Sequence, residues 1–178
     1  NFTLDGATNH ELLVRPFNVA PGVTIPVGEY DFNDATITYA FGQQRRASGT
    51  VSLQVGGFYD GTLTAVNLSG ARVAVLKQFS VEPSLTLNVV ELPYGDFTTT
   101  IVRARTDYAF SPRMFASALI QYNSSDNTSS TNLRYRWEYQ AGSEFFVVYT
   151  DERGTSTPGY PGLRNKAFVV KINRLFRF

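Results

Sequence analysis

The chain has 178 residues and a formal net charge of +1, with its Lys and Arg scattered, so nothing marks a nucleic-acid footprint. It carries no cysteine and a single histidine, His10, which excludes disulfides, thiolate metal sites and Cys nucleophiles and leaves no second imidazole for a metal cluster. No apolar run approaches the roughly 20 residues of a membrane helix, no signal-peptide pattern is present in the sequence, and NFTLDGATNHELL is expected to open a mature chain or a fragment.

Helical periodicity is absent. Period-2 segments recur between turn residues, and the expectation is an all-β chain of about ten strands. They fall at 9–15, 29–42, 48–58, 62–78, 84–92, 97–110, 114–123, 132–140, 144–151 and 166–178. In ATITYAF, Ala35, Ile37, Tyr39 and Phe41 share a face, as do Val51, Leu53 and Val55 in GTVSLQV. The stretch 62–78 alternates poorly, and Gly70 within it predicts a bulge or bend. Next, Val102, Ala104, Thr106, Tyr108 and Phe110 oppose Ile101, Arg103, Arg105, Asp107 and Ala109. Met114, Ala116, Ala118, Ile120 and Tyr122 oppose Ser117, Leu119, Gln121 and Asn123. Leu133, Tyr135, Trp137 and Tyr139 oppose Asn132, Arg134, Arg136, Glu138 and Gln140, whereas EFFVVYT is apolar on both faces. The closing KAFVVKINRLFRF sets Phe168, Val170, Ile172, Arg174, Phe176 and Phe178 against Ala167, Val169, Lys171, Asn173, Leu175 and Arg177.

Taken alternately, the connections form two sets. One is short: QQRRAS, SVEPS, SPR and QAGSE. The other holds the long PFNVAPGVTIPVGE, NSSDNTSST and DERGTSTPGYPGLRN, with the brief FYDG and LPYGD. Short periplasmic turns and longer extracellular loops are the pattern of an antiparallel up-and-down transmembrane β-barrel. Aromatics on the apolar faces (Tyr39, Phe41, Tyr108, Phe110, Trp137, Tyr139, Phe176 and Phe178) are expected at the membrane interface, as in an aromatic girdle. Arg174 is the exception on the expected lipid face, where it must snorkel or be re-aimed by a bulge. A soluble β-sandwich or small barrel that binds carbohydrate or protein alternates in the same way and is the competing expectation.

The stretches FSPRMFASALIQYNSS, TNLRYRWEYQAGSEFFVVYTDE and KAFVVKINRLFRF resemble the C-terminal part of the DUF5916 outer-membrane proteins. Upstream, PFNVAPGVTIPVGEYDF and GQQRRASGTVSLQVGGFYDG are similar to the same family, so the resemblance covers nearly the whole chain. It implies the C-terminal segment of a large β-barrel in the outer membrane of a Gram-negative bacterium, without the N-terminal carbohydrate-binding-like domain of the family. It carries over no catalytic residue. The ending also resembles the C-terminal signal for barrel assembly, with Phe178, Phe176, Ile172 and Val170 fitting and Arg174 departing. Implied partners are outer-membrane lipid, the barrel-assembly machinery and other envelope proteins.

On the polar faces, Arg103, Arg105, Asp107, Arg134, Arg136 and Glu138 are expected to line the lumen. Two readings stay open. The arginines bias a conduit toward anions, or they pair with Asp107 and Glu138 across neighbouring strands and plug a narrow barrel. His10 lacks the partners of a hydrolase triad and reads as a surface histidine. Glu29, Asp31 and Asp34, and Asp151 with Glu152, offer calcium-type oxygens without a loop motif and read as solvated acids. Asn-x-Ser/Thr matches at Asn1, Asn67, Asn123 and Asn127 carry no weight in a bacterial outer-membrane protein. Tyr160, between Gly159 and Pro161, is placed to meet an external ligand or partner, although loop geometry explains its Pro and Gly neighbours equally well. No cofactor, metal or catalysis is expected, and the expected role is that of a porin-like or scaffold protein.

Overall fold

The computed structural model describes residues 1–42, 44–157 and 161–176. Among them every regular element is a strand: β1 (Phe2–Leu13), β2 (Phe17–Ala20), β3 (Val23–Ile25), β4 (Gly28–Phe41), β5 (Ala47–Phe58), β6 (Gly61–Leu76), β7 (Phe79–Glu91), β8 (Phe97–Ser111), β9 (Met114–Asn123), β10 (Thr128–Gln140), β11 (Ser143–Gly154) and β12 (Gly162–Asn173). Ten of them form one sheet in the order β1-β4-β5-β6-β7-β8-β9-β10-β11-β12, and β2 pairs only with β3. This is the antiparallel up-and-down order that the alternation predicts. β1 and β12 end the order, with no pairing between them among the described residues, so the sheet is open. The chain divides into two compact units, Asn1–Ala71 with Ser84–Ile101, and Arg72–Pro83 with Val102–Phe178.

In the first unit, strand register aligns like with like. Phe2, Tyr39 and Val51 form one cross-strand row; Leu4, Ile37 and Leu53 form the next; Gly6, Ala35 and Val55 follow. The opposite face holds Thr38 beside Ser52 and Thr36 beside Gln54. A buried core lies at one end of that opposite face. Val23 and Ile25 of the β2–β3 hairpin pack with Tyr59, Val90 and Leu92, flanked by Leu13, Tyr30, Phe32, Phe58, Leu63 and Phe97. Pro21 and Gly22 (φ 80°) turn the hairpin, a pairing of residues that suits the two central positions of a type II turn. Ile25 is fully buried, worth about 1.5–3 kcal/mol of apolar transfer. Tyr59 holds a left-handed backbone (φ 54°) in the turn between β5 and β6, and its packing in this core offsets that strain.

In the second unit the pairing again keeps faces in register. Trp137 lies opposite Met114 and Phe145, and Phe145 opposite Ile172. Tyr135 lies opposite Ala116 and Val147, and Val147 opposite Val170. Leu133 lies opposite Ala118 and Tyr149, and Tyr149 opposite Phe168.

Several boundaries differ from the sequence expectation. β1 begins at Phe2, seven residues before the expected 9, because Asn1 and Ala40 exchange backbone hydrogen bonds of 2.8 and 2.9 Å and extend the ladder. The small run Gly6-Ala7-Thr8 hides this from a period-2 reading. The expected loop 16–28 contains the β2–β3 hairpin, and β10 and β11 extend into the other two loops. Gly70 takes the left-handed conformation (φ 57°) within β6, a break in extended geometry of the kind expected there. The last strand stops at Asn173 and does not continue to 178. Its partner β11 begins at Ser143, which falls opposite Arg174 in register, so no β11 residue is left to pair with the chain beyond that point. The Leu175 amide donates instead to the Ser143 hydroxyl at 3.0 Å. Arg174 is thus past the strand, its guanidinium 5.0 Å from the Phe176 ring centroid.

Candidate functional site

The apolar face of the first unit is the exposed one. Along β4, exposed and half-buried residues alternate without interruption. Ile37, Tyr39 and Phe41 are exposed, as are Val51, Leu53 and Val55 of β5 and Phe2 and Leu4 of β1. The half-buried face is polar and internally bonded. Asp34 accepts from Asn9 Nδ2 at 2.8 Å and Gln54 Nε2 at 3.0 Å, tying β1, β4 and β5 together. Thr86 donates to Asn67 at 3.3 Å, and Asn88 donates to Thr99 at 3.0 Å. Water-soluble sheets have the reverse arrangement, with polar residues exposed and apolar ones covered.

Beyond the apolar rows the exposed face becomes charged. Thr8 lies opposite Asn33 and His10 opposite Asp31. His10 Nδ1 is 2.8 Å from Asp31, and Nε2 is 3.3 Å from Glu29. Glu29 and Asp31 therefore share one histidine, whereas Asp34 belongs to the opposite face. In the turns at this end, burial and a 2.7 Å bond to Glu11 push the Tyr59 hydroxyl up to about 12. A hydrogen bond to Asp60 does the same for Tyr94, also to about 12.

In the second unit the apolar face is likewise open, with Val102, Phe110, Ile120, Leu133, Trp137, Phe168, Val170 and Ile172 all exposed. The six charges singled out in the sequence lie on β8 and β10 of this unit. Arg105 pairs with Asp107 at 3.1 Å along its own strand. Arg134 donates to Asn132 at 2.9 Å. Arg136 pairs with Glu144 and stacks 5.5 Å from the Phe115 ring and 5.7 Å from the Phe146 ring. Glu138 accepts from the Gly142 amide at 3.1 Å, closing the turn between β10 and β11. Arg103 has no ion pair or hydrogen bond among the described residues. Glu144 escaped the sequence reading because it lies diagonal to Arg136 across a hairpin whose register only the fold reveals.

Aromatic pairs stand beside the short turns within each unit. Tyr39 and Phe41 meet edge to face at 4.8 Å, Tyr108 and Phe110 at 4.6 Å, and Trp137 and Tyr139 at 6.0 Å. Phe176 is exposed beyond the end of β12. Phe178 and Tyr160 lie outside the described residues. Asp151 is held by Arg153 at 2.6 Å and Tyr149 at 3.2 Å, and Glu152 falls on the other face of β11. Asn123 braces its turn, accepting from the Ser125 amide at 2.9 Å and donating to Asp126 at 2.7 Å. No family model matches the chain, and no curated protein or solved structure matches it.

Proposed function

We propose that the ten-stranded sheet forms the wall, or the C-terminal part of the wall, of a bacterial outer-membrane β-barrel that acts as a porin-like or scaffold component, without catalysis. The observation that carries this reading is the inverted amphipathicity of the first unit, whose exposed face holds Leu4, Ile37 and Leu53 while Asp34, Thr36 and Gln54 are half-buried, with Gln54 donating to Asp34. Lipid is the solvent for which such a face is stable. Strands of 10 to 16 residues suffice for the roughly 9–11 that a tilted strand needs to cross. The open ends at β1 and β12 require backbone partners in lipid, supplied by closure or by further strands. The resemblance of the C-terminal stretches to the DUF5916 outer-membrane proteins supports the same location, with lipid and the barrel-assembly machinery as the first partners.

The β2–β3 hairpin favours the plugged over the freely open lumen, because its buried Val23 and Ile25 fill one end of the polar face. Extraction tests the reading. The chain should partition with outer membranes and stay monodisperse only in detergent; a monodisperse, detergent-free preparation would favour the soluble sandwich.

A further inference from the structure

On the apolar face of the second unit, Ala116 and Ala118 leave β9 low between the rings of Tyr108 and Tyr135. The resulting depression of about 440 Å³ reaches Tyr149 and Phe168, and its lining is almost wholly apolar. One end of it carries charge. Lys166 stands two residues before Phe168 on the same face of β12, opposite Asp151. Its ammonium lies 5.9 Å from the centroid of the Tyr149 ring. Arg153 already engages Asp151, so the three side chains together leave one positive charge beside the groove. An apolar trough with positive charge at one end complements a hydrocarbon chain with an anionic head.

We propose that this groove holds one acyl chain of a bilayer lipid whose anionic phosphate headgroup is set against Lys166. The proposal rests on the membrane-embedded reading. From Lys166 to Ile172, in the cross-strand row of Trp137, the chain advances about 20 Å along the strand at roughly 3.4 Å per residue. A chain seated with its head at Lys166 therefore runs toward the row of Trp137.

Trp137, the single tryptophan, reports the occupant. The full chain is reconstituted into phosphatidylcholine vesicles holding a minor fraction of lipid brominated near the end of its acyl chains, either phosphatidylglycerol or phosphatidylcholine. Brominated phosphatidylglycerol should quench Trp137 about twofold or more beyond brominated phosphatidylcholine at equal fraction. Lys166→Gln should bring the two to the same level, and Ala116→Phe, which fills the groove while leaving the charge, should also remove the excess. Equal quenching in the unsubstituted chain, or an excess that survives both substitutions, overturns the groove. Absence of quenching by either lipid contradicts the membrane reading itself.

Discussion

Leu53 lies in the middle of three apolar rows on the exposed face of the first unit, beside Ile37 and, through it, Leu4. Its substitution separates the two solvents for that face. Leu53→Arg should cost about 2–4 kcal/mol if the face meets lipid near the midplane, whereas an exposed site in water usually changes stability by no more than about 0.5 kcal/mol. Urea unfolding in lipid vesicles measures the difference. On the opposite face, Asp34→Ala strips Asn9 and Gln54 of their shared acceptor and should cost about 1–3 kcal/mol in the same assay.

The β2–β3 hairpin is the element that ties a long loop to the fold. Ile25→Ala should destabilise by about 2–5 kcal/mol through the cavity it leaves, and unfolding monitored in detergent would detect it. A loss below about 0.5 kcal/mol would mean the hairpin is not anchored as described. The long strands were legible because β4, β8 and β10 alternate over many residues and the two faces differ in polarity. The hairpin was not, because FNVAPGVTI is short and rich in turn residues and its burial depends on Tyr59, Val90 and Leu92, far away in sequence. The end of β12 was also illegible. Alternation continues through Arg174 and Phe176, but β11 offers no partner beyond Ser143, and pairing rather than periodicity stops the strand. The charged residues were legible as a polar face, yet their partners were not: Arg136 selects Glu144, and Glu138 turns to the Gly142 amide.

For the molecule as a whole, both units expose apolar side chains at densities a water-soluble sheet covers with a second layer. Alternation alone could not assign the solvent, because sandwiches and membrane barrels share it; the exposed apolar face is what supports the proposed membrane wall. Trp137 provides the most direct test, being the single tryptophan and exposed on that face. In vesicles of uniformly brominated phosphatidylcholine its emission should be blue-shifted and strongly quenched relative to unbrominated vesicles. Emission at the wavelength of a water-exposed indole, equal with and without bromine, would contradict the account.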